Sequence, residues 1–210
     1  MKAEKLAELI VQSAQDQKRF IVAIAGPPGS GKSTVAEALC GLINKMIGSE
    51  KSIIVPMDGF HLDNAILDQM DARDVKGAPH TFDAQAFVEL IAAIANNTSE
   101  IVIPGFDRHQ DKVIAGTRTV LTDHQIILVE GNYLLLEEQP WGDLKQYFDL
   151  SVLLLPPTKL LENRLITRWL THGYQPEEAK TKAHSNDIPN AKYVLSNSAD
   201  ADLNLSEVLI

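Results

Sequence analysis

The chain has 210 residues, 45% hydrophobic and 22% charged, enough to bury a substantial core and too ordinary in composition for a disordered, fibrous or disulfide-stapled protein. Its 19 Lys and Arg against 28 Asp and Glu give a net charge of −9, which argues against a broad basic surface for nucleic acid or anionic lipid. The lone cysteine, Cys40, excludes an intrachain disulfide, no run of about 18 apolar residues offers a membrane span, and the charged start Met1-Lys2-Ala3-Glu4-Lys5 is unlike a secretion leader. A cytoplasmic protein with neither membrane nor nucleic acid as partner is expected.

No repeat, low-complexity tract or linker divides residues 1–210, so a single domain is expected. Residues 3–17 carry Leu6, Leu9, Ile10 and Ala14 on one helical face, and Phe20–Ala25 is a short β-branched run suited to a buried strand. After a glycine-rich turn, Lys32–Ile47 repeats Val35, Leu39, Leu42, Ile43 and Met46 at helical spacing, with Gly48 positioned to end the helix. Ser52–Met57 predicts a second strand. Asp83 is suited to cap a helix bearing Phe87, Leu90, Ile91 and Ile94, and Ile101–Ile103 predicts a third strand before Pro104-Gly105. The apolar runs Ile126–Val129 and Leu150–Leu155 suit parallel strands covered by helices on both faces. Residues 158–171 and 176–184 predict helices, and Tyr193–Leu195 a last strand. Such alternation predicts a three-layer α/β/α protein with a mainly parallel sheet.

Gly26-Pro27-Pro28-Gly29-Ser30-Gly31-Lys32-Ser33, followed by Thr34, fits G-x-x-x-x-G-K-[ST] and lies between a predicted strand and a predicted helix, as that motif requires. Glycines let the loop turn its N–H groups inward, and the helix N-terminus adds partial positive charge. The loop is therefore expected to hold ATP, with Lys32 at the β and γ phosphates and the Ser33 hydroxyl on Mg²⁺. Asn44-Lys45-Met46-Ile47 lacks the Asp of an N-K-x-D guanine reader, which disfavours a GTP switch.

Asp58-Gly59-Phe60-His61 follows the second strand at the carboxyl edge of the sheet, where open α/β folds bind ligands. A carboxylate there can orient an alcohol and take its proton, so Asp58 is the candidate base, the alternative being a turn carboxylate. His61 is a candidate substrate contact or an ordinary loop histidine. Asp107, Arg108 and His109, after the third strand, are further candidates, as are His80, Tyr133 and Asn190. Arg164 and Arg168, four residues apart, can point two guanidinium groups at the transferring phosphoryl, or form a solvated pair. Cys40, Trp141 and Trp169 read as packing residues.

The P-loop, Met57-Asp-Gly-Phe-His61 and Ile126-Ile-Leu-Val-Glu-Gly-Asn-Tyr133 together resemble the phosphoribulokinase and uridine kinase group, which includes type I pantothenate kinase, over roughly residues 18–200. Lys76-Gly-Ala-Pro-His-Thr-Phe-Asp83, Phe106-Asp-Arg108, Glu130–Leu136 with Pro140-Trp141, and Asn186-Asp-Ile-Pro-Asn190 are most similar to bacterial proteins labelled fructose transport system kinases. The resemblance implies a five-stranded parallel core and an ATP-dependent kinase acting on a small-molecule hydroxyl, a sugar, nucleoside or related metabolite. It makes Asp58 the base, Lys32 the phosphate lysine, Ser33 with Glu130 the Mg²⁺ environment, and residues 158–175 a helical lid. Where relatives commonly carry a further arginine near the lid glycine, this chain has Thr171-His172-Gly173, which leaves the ATP contacts of that segment open. Room is left for a homodimer. The alternative from another class is a nucleotide-sensing binding module with little phosphotransfer, which would need neither a base at Asp58 nor the arginine pair.

Overall fold

The structure is a computed structural model that describes residues 1–96 and 98–210. In chain order its first half runs α1 (Ala3–Ser13), β1 (Phe20–Ala25), α2 (Lys32–Ile47), β2 (Ser52–Pro56), the short α3 (Asn64–Gln69) and α4 (Ala84–Asn96). The second half runs β3 (Ile101–Asp107), β4 (Lys112–Val120), β5 (Ile126–Gly131), β6 (Leu150–Leu154), α5 (Thr158–Thr171), α6 (Pro176–Lys182), α7 (Ile188–Asn197) and β7 (Leu203–Leu205). Five strands form a parallel sheet in the order β2-β5-β1-β6-β7.

Every residue of β1 and β5 is buried, because helices cover both faces of the sheet. The pleat sorts one continuous apolar run into two cores. Ile21, Ala23 and Ala25 face a cluster with Phe87 and Ile91 of α4, Tyr133 and Trp141. Phe20, Val22 and Ile24 face Leu6 and Ile10 of α1 and Leu39 and Ile43 of α2. Gly48 ends α2 with φ +77°, and Asp83 caps α4 through the amide of Ala86 at 3.0 Å.

Four expectations are corrected. Ile101–Ile103 does begin a strand, but β3 continues to Asp107 and pairs antiparallel with β4 in a separate two-stranded hairpin, whose ladder shifts register around Pro104, a residue with no N–H to donate. Tyr193–Leu195 is helical and lies in α7, where Asn190, Ala191 and Val194 are buried at helical spacing; the last strand is β7. The opening helix stops at Ser13, short of residue 17, and the helix expected over 176–184 passes at Ala183 into a π-helical turn ending at Asp187.

Candidate active site

The carboxyl ends of β1, β2 and β5 open on one rim. β1 ends at Ala25 and α2 begins at Lys32, so the loop between them leads directly into a helix N-terminus. Gly29 and Gly31 hold φ of +79° and +90°, left-handed values that side chains resist. A Cβ on Gly29 would stand 3.2 Å from the Leu165 side chain, so the loop is curled and also roofed by α5. Arg164 clasps it from the same helix, donating from Nη1 to the carbonyls of Gly29 and Ser30 at 3.3 and 3.2 Å. Pro27, Pro28 and Ser30 are buried and Thr34 is exposed. The Ser30 hydroxyl has no hydrogen-bond partner within the loop or elsewhere among the described residues.

Behind the loop lies a group of charges. The Ser33 hydroxyl donates to Glu130 Oε2 at 3.1 Å, across the parallel register that puts Glu130 beside Ile24. Burial pushes the Glu130 carboxyl up, opposed by Lys32, and lowers the Lys32 ammonium, opposed by Glu130 and then Asp58. Each charge thus depends on its opposite, the condition under which buried charges persist.

Asp58 sits one residue beyond Met57 in the 3₁₀ turn Met57–Phe60. Its carboxylate accepts from Arg108 Nη2 at 2.5 Å, with the arginine side chain 52% exposed and the aspartate 20%. Arg108 reaches it from the tip of the β3–β4 hairpin. His61 lies against the rings of Phe82 and Phe106, at centroid distances of 4.1 and 4.4 Å, and its Nδ1 is 2.8 Å from the Asp58 carbonyl. A carbonyl only accepts, so Nδ1 carries the proton. Burial holds the imidazole below its ordinary pKa despite the pull of Asp58. The Lys76 ammonium donates to Asn64 Oδ1 at 2.7 Å, Asp111 O at 3.0 Å and Asp111 Oδ1 at 2.8 Å, and lies 5.0 Å from the Phe106 ring centre.

The rim therefore gathers Lys32, Ser33, Asp58, His61, Arg108 and Glu130, with Arg164 on the loop. Other candidates stand apart from it or are occupied locally. Tyr133 is wholly buried, packs on Phe82 and Trp141, and donates its hydroxyl to the Gly77 carbonyl; burial pushes that hydroxyl up, so it braces the 76–81 segment as a neutral group. Asp107 caps the hairpin turn, accepting from the amides of His109 and Gln110 at 2.8 and 3.0 Å. His80 and His109 are exposed, and neither makes a hydrogen bond to a rim residue. Asn190 is buried and donates to Asn186 at 2.9 Å. Arg168 lies over the Trp169 ring at 5.7 Å, and the His172 ring meets the same indole edge-on at 6.1 Å. Trp169 in turn donates to Asp187 at 2.5 Å.

Sequence reasoning assigned no role to Lys76, Asn64, Asp111 or Asn186. Asn186 donates to the Lys76 carbonyl at 2.8 Å, so residues that lie 110 apart in the chain fix one wall of the site. Two of the stretches that carry the family resemblance include Lys76 and Asn186, and no spacing rule links them. A cleft of about 960 Å³, lined by Cys40, Asn44, Ile53, Arg118 and His124 among others, lies at the amino end of β2, away from this rim.

A curled glycine loop at a helix N-terminus, its lysine beside two carboxylates and an arginine-bearing helix above it, is the arrangement of a P-loop kinase. The chain aligns with a crystal structure titled "putative fructose transport system kinase" from Silicibacter sp. TM1040, at 37% identity and a TM-score of 0.90, covering 97% of this chain and 98% of that one. It is 34% identical to the "Putative uridine kinase C227.14" of Schizosaccharomyces pombe over 98% of this chain and 90% of that protein. It is 32% identical to the uncharacterized protein YggC of Escherichia coli over 92% of this chain and 80% of that one. Residues 21–209 match the phosphoribulokinase/uridine kinase family, and the chain belongs to it. It is thus an ATP-dependent phosphotransferase acting on an alcohol, in a family that uses ATP with a divalent metal.

Proposed function

We propose that the chain transfers the γ-phosphoryl group of Mg²⁺-ATP to a hydroxyl of a small polyol-like acceptor, a sugar, a nucleoside or a related metabolite. The observation that carries this reading is the meeting of Asp58 with the Lys32 and Glu130 pair on one rim. A base, a phosphate-binding cation and a metal-binding carboxylate then lie within reach of one phosphoryl group. The loop amides and Lys32 bind the β and γ phosphates, and Arg164 keeps the loop curled. Asp58 orients the acceptor hydroxyl and takes its proton as the oxygen attacks the γ-phosphorus. The new O–P bond forms as the bond to the β,γ-bridging oxygen breaks, ADP leaves with those electrons, and Asp58 holds the proton. Arg168, from α5, meets the equatorial oxygens when residues 158–175 close as a lid over the site.

The donor set suits the metal. Ser33 and Glu130 offer two hard oxygen ligands 3.1 Å apart, and among the described residues no cluster of three or more His, Cys, Asp or Glu could form a closed protein cage. Magnesium prefers such a partial site, completed by phosphate oxygens and water. Held by Ser33 and Glu130, the ion would supply charge neutralisation for the transferring phosphates. The unpartnered Ser30 hydroxyl, buried in the loop, fits a cradle built to take a further polar group.

No helix among the described residues is long and apolar enough to cross a membrane, and the net charge of −9 supports a small acceptor over a polyanion. The test is ADP release across free sugars, sugar phosphates, nucleosides and hydroxy acids, with mass detection of the product. Acceptor-dependent ADP release and a product one phosphoryl heavier are expected. Turnover confined to a protein or nucleic acid would overturn the small-acceptor reading, and tight ATP binding with no turnover on any acceptor would favour a nucleotide sensor.

A further inference from the structure

We infer that the acceptor carries an anionic group, a phosphate or a carboxylate, and that Arg108 is the residue that captures it, leaving Asp58 as it does so. This rests on the kinase reading above and narrows its substrate class.

The first observation is the incomplete contact that Arg108 makes. A guanidinium has five N–H donors in a planar fork suited to paired oxygens. Arg108 uses one nitrogen, Nη2, on one oxygen, Asp58 Oδ2. Among the described residues no other hydrogen bond or ion pair engages it, and half of its side chain faces solvent. The second is that the other cations on this side serve different parts of the site. Lys76 has three donors and three oxygen acceptors, and its side chain is 12% exposed. Lys32 serves the phosphate loop beside Glu130, Arg164 holds the loop carbonyls, and Arg168 lies over Trp169. Among these cations Arg108 is the one paired with the candidate base, and most of its planar donor fork is unused.

The third observation is where Arg108 comes from. It stands at the tip of the two-stranded hairpin, and Asp107 and the Lys76 contacts to Asp111 shape that tip. The backbone there is fixed while the arginine's own side chain is long and half exposed. It can swing between Asp58 and a ligand without the turn reforming. A single ion pair that is this exposed is weak, and a doubly bonded phosphate or carboxylate is a better partner for the fork than one carboxylate oxygen. An anionic acceptor would otherwise meet repulsion from Asp58 and Glu130. Drawing Arg108 away from Asp58 Oδ2 also frees that oxygen for the hydroxyl proton, so one movement recognises the acceptor and uncovers the base.

The test uses the full chain, nitrogen-labelled and saturated with Mg²⁺ and a non-hydrolysable ATP analogue so that the P-loop is filled. Inorganic phosphate is titrated in while the arginine side-chain Nε resonances are followed by NMR. A saturable shift of the Arg108 resonance is expected, with phosphate affinity at least tenfold weaker in Arg108→Gln and intermediate in Arg108→Lys, which keeps the charge and loses the fork. Equal phosphate affinity in the parent protein and Arg108→Gln overturns the inference. In parallel, ADP release is measured for matched acceptors, glycerol with glycerate and ribose with ribose 5-phosphate. A preference for the charged member of at least tenfold in kcat/KM, lost through KM in Arg108→Gln, supports the inference. A neutral member used as well as its charged counterpart overturns it and leaves the kinase reading standing. Failure of the chain to bind the ATP analogue would instead strike at the kinase reading itself.

Discussion

Asp58 interacts with two cations of different reach, the half-buried Lys32 of the phosphate loop and the half-exposed Arg108 of the hairpin tip. Its carboxylate is the one rim group that both cations and His61 share, so a change there separates chemistry from nucleotide binding. Asp58→Asn keeps the shape and loses the proton acceptor; turnover should fall by about 10² to 10⁴, while affinity for a non-hydrolysable ATP analogue, measured by calorimetry, stays within a few-fold. A variant at full rate would return Asp58 to the status of a turn residue. His61 offers a pH test. Burial, the largest influence, lowers its pKa from 6.5, so the unfolded chain takes up the proton more readily than the folded one. The stability that follows is present above the ordinary value and is lost as pH falls through the depressed one. Thermal midpoints should drop more steeply between about pH 7 and pH 5 for the parent protein than for His61→Gln. Parallel curves would show that this imidazole does not titrate against the fold.

At the scale of elements, the hairpin β3–β4 stands where it does because the turn Met57–Phe60 lets it come close. A Cβ on Gly59 would lie 2.5 Å from the Pro104 carbonyl oxygen, a backbone atom that cannot yield by changing rotamer. Gly59→Ala should therefore destabilise the fold by roughly 1–3 kcal/mol, a drop of about 2–4 °C per kcal/mol in a chain of this size, and should slow turnover as the hairpin that carries Arg108 is pushed off the acceptor side of the rim. An unchanged melting curve would mean that the approach is looser than the backbone indicates. The same hairpin marks where sequence reading stops. β1 and β5 were legible because burial on two faces forces long apolar runs, and α2 because its apolar residues recur at helical spacing; the P-loop and Glu130 sit at the ends of β1 and β5, and Asp58 just beyond β2. β4 has most of its residues exposed or half-exposed, so it carries no such pattern and went unread. In α7 the three β-prone residues Tyr193–Leu195 yielded to the helical spacing of Ala191 and Val194. Lys76, Asp111 and Asn186 lie far apart in the chain, and only the folded wall brings them together.

For the whole molecule, a ligand that binds only the native state raises its stability by mass action. An ATP analogue with Mg²⁺ at a hundred times its Kd should add about 2.7 kcal/mol, a rise of roughly 5–10 °C in Tm, and Lys32→Ala should lose most of that rise in a thermal-shift measurement. An equal rise in the variant would remove Lys32 from the phosphate site. One feature of the sheet bears on how the two halves of the site behave in time. β1 is bonded on both sides, to β5 and to β6, and is buried throughout, whereas β3 and β4 have only each other. The amide protons of Ile21–Ala25 can then exchange with deuterium only through opening of the whole fold, while those of Val113–Thr119 can exchange through local opening of the hairpin alone. The nucleotide would be met by the slowest-exchanging backbone in the molecule and the acceptor by some of the fastest, so that a solution of the protein in heavy water should write the division between donor and acceptor sides as a difference in exchange lifetimes.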